Sequence, residues 1–463
     1  MIGIVGGGLA GLAAAHRLQR AGREVRVFEA ADRLGGLAAT YETDGDRVEK
    51  FYHHLSKSEE TIVDLAEELG VGDRIEWRVG ENAYYVDGIA HPLDAPWEIA
   101  AYPYLSLYDK FRLGMLTLGV DVRGGIPRTD TYDDLEDFED VPIKEFLLEH
   151  TTRGVYEYFF EPLLDAKFGS RKEDVSAAWL LGRVKFRGER DLLRGEVLGY
   201  LEGGFGVLLD ALVDSVGREY IETGTRVTEV GFADGDGPTP AIRPASGDLA
   251  SDWSTPRGPV ESLTVASEAD AGDRTTRTYD VDDLVVATMP DVLEALTGYE
   301  CDIDFQGSVC AVVSMDEPLM DTYWLNIADD APFGALIEHT NFVSPERYGG
   351  EHLLYVASYV QDPTEELWQL DDDGVAELWL DGVADLFPQF DRESVNWVQI
   401  ARNPKTAPVY ERGYLEMVIP YDLGDAVAPG VHYAGMASRA QYPERSLNGA
   451  IEAGYAAAES ILD

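Results

Sequence analysis

The chain has 463 residues, 45% of them apolar, and its Asp+Glu 86 against Lys+Arg 37 give a formal net charge of -49. That length predicts two domains rather than a small stapled scaffold, and the apolar fraction excludes a disordered chain or a fibre. So acidic a surface gains no counterion release from a polyanion and excludes nucleic acid as a partner, and with lysines at eight positions only it fits a high-salt cytoplasm, where screening quiets self-repulsion.

The chain enters a strand at its second residue, "MIGIVGGG", with no basic or apolar leader, and it holds no run of 18 apolar residues. A cytoplasmic protein is expected, with any membrane contact confined to the surface. Residues 2 to 5 read as a short buried strand, 9 to 21 as an alanine-rich helix ending near Gly22, and 24 to 29 as a strand with alternating Val25 and Val27. This is the start of a parallel βαβ unit. Its turn, Gly6-Gly7-Gly8-Leu9-Ala10-Gly11, is a GxGxxG: Gly6 permits the tight turn, Gly8 lets the backbone approach a pyrophosphate at the helix N-terminus, and Gly11 lets helix and strand lie close. Glu29 ends the second strand, where a carboxylate accepts from ribose hydroxyls and repels a 2'-phosphate, which disfavours NADP. A glycine-rich turn without a ligand is the bland alternative, and the flanking strand and helix disfavour it.

Arg33-Leu34-Gly35-Gly36 then offers a cation and two glycines for the same diphosphate. Glu49-Lys50-Phe51-Tyr52-His53-His54 follows, and its adjacent histidines are read either as a proton shuttle near neutral pH or as packing residues. A helix is expected from about Thr61 to Leu69. Residues 93 to 118, with Trp97, Tyr102, Tyr104, Tyr108, Phe111, Met115 and Leu116, read preferentially as packing under a helical subdomain, with an apolar channel as the alternative. Residues 130 to 215 read mostly as helices. Within them Lys167 stands out in a lysine-poor chain, either as a cation beside a cofactor or anionic substrate or, preferentially, as a structural ion pair. Arg183, Arg187 and Arg402 pose the same question.

Strands are expected at 220 to 232 and 284 to 288, around a polar surface excursion at 235 to 258. Strands dominate 305 to 360, followed by a helix at 373 to 386 and a strand at 395 to 402. Cys301 and Cys310 match no metal or redox spacing and read as reduced core thiols. The last 30 residues read strand, loop, helix. The dinucleotide domain is thus expected in pieces, 1–75, 200–295 and 425–463, with 76–199 and 296–424 forming a substrate domain.

The glycine turn, Glu29 and the Arg33 to Gly36 loop resemble those of the FAD-dependent superfamily of amine oxidases, protoporphyrinogen oxidases and phytoene desaturases. The family usually has Arg after the second glycine of the loop, where this chain has Leu37, and Gly-Asp where this chain has Gly435-Met436. The resemblance implies an α/β fold, with a Rossmann-like FAD-binding domain and a mixed α+β substrate domain. It implies that FAD is the cofactor, that Val227 holds the adenine through its backbone, and that Gly435 lies in the closing motif. Asn448, Gly449 and Ala450 would open a helix whose N–H groups face the diphosphate or the flavin's pyrimidine edge. His53 and His54 would come beside the isoalloxazine ring, and Lys167 would join them as a catalytic candidate. The activity implied is hydride transfer from a C–N or C–C unit of a small-molecule substrate. The alternatives are a non-redox flavoenzyme resembling UDP-galactopyranose mutase, with arginines holding a nucleotide sugar, and a binding protein that keeps FAD as a support.

Overall fold

The computed structural model describes residues 1–186, 190–191, 195–233, 257–268 and 274–463. Its organising element is a five-stranded sheet ordered Ile221–Glu222, Val25–Phe28, Ile2–Val5, Asp283–Val286, Val431–Tyr433, with every pairing parallel. Numbered along the chain these strands run 3-2-1-4-5, so the order reverses beside Ile2–Val5 and opens a crevice at the strands' C-terminal ends, where such sheets bind ligands. The central strands Ile2–Val5 and Asp283–Val286 are buried almost throughout because both faces of the sheet are covered. On one face lies the helix Leu9–Arg20, which buries Leu12, Ala13, Ala14, Ala15 and Leu18. Small residues let the terminal helix Leu447–Leu462 cross it closely: a Cβ on Gly454 would stand 2.2 Å from the Ala10 carbonyl oxygen. Buried His16 ties the first helix to two others, its Nδ1 2.8 Å from Ser215 Oγ on the helix Gly206–Val216 and its Nε2 3.1 Å from Glu68 Oε1 at the end of the helix Glu60–Glu68. On the other face an antiparallel sheet of Thr225–Phe232, Val260–Glu268 and Arg274–Asp280 presses Leu263 against Gly3, where a Cβ would stand 2.3 Å from Leu263 Cδ1.

A seven-stranded sheet runs Val395–Pro408, Phe305–Met315, His352–Val360, Ala335–Glu338, Trp324–Ile327, Asn82–Val86, Ile89–Pro92, antiparallel except where Trp324–Ile327 meets Asn82–Val86. Its inner residues, Val309, Ala311, Val313, Leu354 and Val356, pack with Val375, Trp379 and Val383 of the helix Asp372–Leu386. The helical reading of 130 to 215 holds for Ile143–His150, Glu161–Phe168, Ala177–Phe186 and Gly206–Val216 but fails at Gly195–Leu201. That stretch is a strand because it pairs along its length with Ile75–Gly80. This pairing also crosses the expected divisions at 75/76 and 199/200.

The expectation for residues 93 to 118 divides. Tyr102, Leu113 and Leu116 are buried, whereas Trp97, Tyr108 and Phe111 are exposed at the surface. Both cysteines are free, Cys310 buried and Cys301 half-buried. Among the described residues no helix is long and apolar enough to cross a membrane. The expected excursion, through residue 256, and Arg187 lie outside the described residues.

Candidate functional site

The crevice is floored by glycines of two kinds. Gly6 has φ +110 and a Cβ there would stand 2.5 Å from the Ala287 carbonyl oxygen, while one on Gly11 would stand 2.0 Å from that of Gly6. Only glycine fits at either position, because loop, strand and helix are in backbone contact. The second loop lies against the first: Gly35 N–H donates to Gly7 O at 2.9 Å, and Gly8 pairs with Gly35 as an isolated parallel bridge. Gly8 and Gly36 are different, since a Cβ on Gly8 would meet nothing nearer than Gly35 O at 3.9 Å and one on Gly36 nothing nearer than Gly8 Cα at 3.7 Å. Their missing side chains leave an open cradle at the start of the first helix. No side chain caps that helix, so the amides of Leu9, Ala10 and Gly11 face the cradle without an acceptor from the helix itself, where they and the dipole favour an anion.

Beside the cradle, Glu29 accepts from Gly7 N–H at 2.7 Å through Oε2 and from Ala31 N–H at 2.8 Å through Oε1. A carboxylate has further lone-pair positions, so this one can still accept from a ribose. Arg33 is exposed at the rim. Val227 is held close by, because its strand hangs from Glu29 through Thr225 N–H to Glu29 O at 2.8 Å. The ladder with the neighbouring strand shifts register between Val227 and Glu229, and such a bulge leaves an extra residue out of the pairing, which exposes backbone groups there.

At the far end of the crevice the terminal helix begins with Ser446, whose Oγ accepts from Gly449 N–H at 3.0 Å. Ala450 N–H donates to Ser446 O. The amides expected to be open at Gly449 and Ala450 are therefore engaged, and the first-turn positions left facing outward are those of Leu447 and Asn448. The Asn448 side chain turns the other way, accepting from Ile62 N–H and donating to Glu452 Oε1, both at 2.8 Å. Gly449 and Gly435 are glycines for packing: a Cβ would stand 2.5 Å from Ala440 O and 2.0 Å from Thr288 O respectively.

The histidine pair separates in space. His53 has a buried Nδ1 with no hydrogen-bond partner among the described residues, and burial, reinforced by the Arg445 guanidinium, pushes its pKa down to about 3. The expectation that it titrates near neutrality is thereby corrected; His53 is a neutral ring. His54 turns to the Tyr323 hydroxyl, 3.3 Å from its Nδ1. Just upstream, Glu49 is fully buried, accepting from Tyr200 OH at 2.7 Å and Phe205 N–H at 2.6 Å. Burial pushes its pKa up despite those bonds.

Lys167 is in the ion pair preferred for it, donating to Glu444 Oε1 at 2.7 Å. Trp179 Nε1 and Arg183 also donate to Glu444, at 2.8 and 2.9 Å, both through Oε2. Arg445 follows; its buried Nε has no partner among the described residues, and its charge acts on the Tyr359 phenol. Burial raises the Tyr359 pKa, but Lys167 and Arg445 outweigh it and hold the phenol below its ordinary value. Arg402 is elsewhere, 3.1 Å from Asp372. Glu444, Arg445 and Tyr359 escaped the sequence reading. One signal was available for the first two: an acid and a base side by side immediately before the cap of the closing helix.

Known proteins resemble this chain in sequence and in fold. A family model described as flavin containing amine oxidoreductase matches residues 9–462. A Mycobacterium tuberculosis protein assigned as a flavin-containing monoamine oxidase is 28% identical over 193 residues, 41% of either chain. The protein thus aligns with about two fifths of that relative's length. Among solved structures, one from Exiguobacterium sp. 255-15 assigned as a protoporphyrinogen oxidase superposes with TM-score 0.72 at 18% identity, over 99% of this chain and 98% of that one. Reduced UDP-galactopyranose mutase superposes with TM-score 0.68 at 16% identity, over 100% of this chain and 95% of the other. At those identities the two structures speak to the fold alone.

Proposed function

The chain belongs to the flavin-containing amine oxidoreductases, and from that membership we propose that it is an FAD-dependent oxidoreductase taking a hydride from a C–N or C–C unit of a small organic substrate. The observation that carries the cofactor assignment is the open cradle between Gly8 and Gly36, closed on one side by the Gly35 to Gly7 hydrogen bond. The space that side chains at Gly8 and Gly36 would take up is left free for a diphosphate. Glu29 would hold the adenosine ribose, Val227 the adenine, and Arg33 the diphosphate from the rim. The flavin supplies the hydride acceptor. The protein supplies the surroundings: amides of Leu447 and Asn448 stabilise negative charge at the pyrimidine edge, neutral His53 offers a hydrogen bond, and Tyr52, Tyr355 and Trp324, packed edge to face, exclude water.

The proposed division into 1–75, 200–295 and 425–463 for FAD and 76–199 and 296–424 for substrate is supported by the two main sheets, whose strands fall in separate sets of those segments. The mutase-like alternative needs arginines gathered for a nucleotide sugar. Among the described residues Arg402 lies apart on Asp372, and the family model described for amine oxidoreductases makes the redox reading the preferred one.

Heat release and chromatography should yield one AMP-containing flavin per chain. Anaerobic dithionite reduction, followed by a screen of amines, porphyrinogens, polyenes and nucleotide sugars for turnover, then tests the reaction. Recovery of FMN, or a colourless protein unable to take up FAD, would refute the assignment.

A further inference from the structure

Four distant stretches of chain meet in the cluster around Glu444: Tyr52 and His53, Lys167 through Arg183, Tyr359, and Glu444 with Arg445. Lys167, Arg183 and Glu444 keep 13, 29 and 21% of their side chains accessible, yet burial is the strongest single influence on the proton affinity of each. Side chains of that partial accessibility are neither sealed in the core nor fully in solvent, as the walls of a cleft would be.

The charges in that cleft run against the rest of the molecule. Acids outnumber bases 86 to 37 along the chain, but here Lys167, Arg183 and Arg445 face Glu444, with Glu196 acting on Arg183 as the second carboxylate. Glu444 is the one carboxylate within 4 Å of Lys167 among the described residues, although an ammonium has three donors. Arg445 has no carboxylate within 4 Å among them, and its Nε is unpartnered. Arg445 is half-buried, and a guanidinium whose Nε is shut off from water without a partner gains from an anion that completes it. Aromatic rings enclose Lys167 as well, its Nζ 4.9 Å from the Trp179 ring centre, 5.7 Å from Phe168 and 5.9 Å from Tyr359. The ring faces that would attract a ligand cation are thus already occupied by one of the protein's own.

We infer that this cleft binds an anionic group of the substrate, a carboxylate or a phosphate, and that it rejects a protonated amine. The inference rests on the FAD reading above, because it takes the segment leading into the terminal helix to border the flavin. An anion completes Arg445, shares the Lys167 ammonium and is oriented by the Arg183 fork; a protonated amine meets three cations against two carboxylates that are already engaged.

The test uses the FAD-loaded protein at fixed chloride, titrated with inorganic phosphate, succinate and benzylamine while the flavin absorbance is followed. Phosphate or succinate should give a saturable spectral change, and which of the two binds more tightly identifies the group. Lys167→Met and Arg445→Gln should each weaken that anion by about ten- to a hundredfold. Glu444→Gln, which removes the competing carboxylate, should strengthen it, an effect that a purely structural ion pair would not produce. If Lys167→Met loses its FAD, Arg445→Gln and Glu444→Gln decide the matter by the opposite signs of their effects. Saturation by benzylamine with neither anion binding would overturn the inference, and so would anion affinities unchanged across the variants. Both results leave a yellow, FAD-bearing protein, whereas failure of the FAD reading gives a colourless one.

Discussion

Replacing Glu444 by Gln keeps the shape of the side chain and removes its charge, which isolates the electrostatic role of the cluster. Burial by itself would raise the Glu444 carboxyl, but Lys167 and Arg183 outweigh it and hold the pKa at about 2, from an ordinary 4.5. At about 1.4 kcal/mol per decade of proton affinity, this amounts to about 3 kcal/mol of stabilisation at neutral pH. The cost of leaving a buried cation without its partner, about 3 to 5 kcal/mol, agrees. With 21% of the side chain accessible, solvent screens the interaction only in part. Because the folded pKa is depressed, the stabilisation is fully present above 4.5 and is lost as pH falls from there towards 2. Urea unfolding of wild type and Glu444→Gln at constant salt should therefore differ by about 3 kcal/mol at neutral pH and converge on acidification through that window. A difference below about 0.5 kcal/mol at neutral pH, or one that does not change with pH, would refute the reasoning.

Gly11→Ala places a Cβ 2.0 Å from the Gly6 carbonyl oxygen, so the cofactor loop must move; visible flavin absorbance per chain should fall sharply, and retention of full FAD content would contradict the cradle. His53→Ala should shift the flavin spectrum or potential with FAD content unchanged, whereas wild-type spectra and activity in both His53→Ala and His54→Ala would leave the pair as packing residues. Burial holds His53 and His339 at about 3 and His150 at about 4. Their folded pKa values lie below the ordinary 6.5, so their stabilisation is complete above 6.5 and declines as pH falls towards 4; a melting temperature flat across that interval would argue against neutral buried rings. The net charge of -49 predicts melting temperatures that rise with salt, as the screening length shortens from about 10 Å at 0.1 M to about 3 Å at 1 M; equal melting at both levels would reject the high-salt reading.

The cradle was legible in the sequence because its determinants are short-range. Gly6, Gly8 and Gly11 lie within one turn of a helix start, Glu29 follows at the end of the next strand, and glycine is favoured where φ is positive, as at Gly6, and required where backbones touch, as at Gly11. Strand and helix periods carried the parallel sheet in the same way, since its central strands had to be apolar along their length. Gly195–Leu201 was misread because its strand character comes from pairing with Ile75–Gly80, a partner more than a hundred positions away. The cluster around Glu444 is further still from local reading: Lys167 and Glu444 are 277 positions apart, and nothing near either announces the other. Arg183 and Arg402 looked equivalent in the sequence, yet one joins Lys167 on Glu444 and the other is paired with Asp372. His53 and His54, adjacent in the chain, face different surroundings. The conformation of a tight turn and of a helix start is decided by neighbours along the chain. Burial, charge pairing and proton affinity are decided by whichever segments packing brings together, and only the tertiary structure shows which those are.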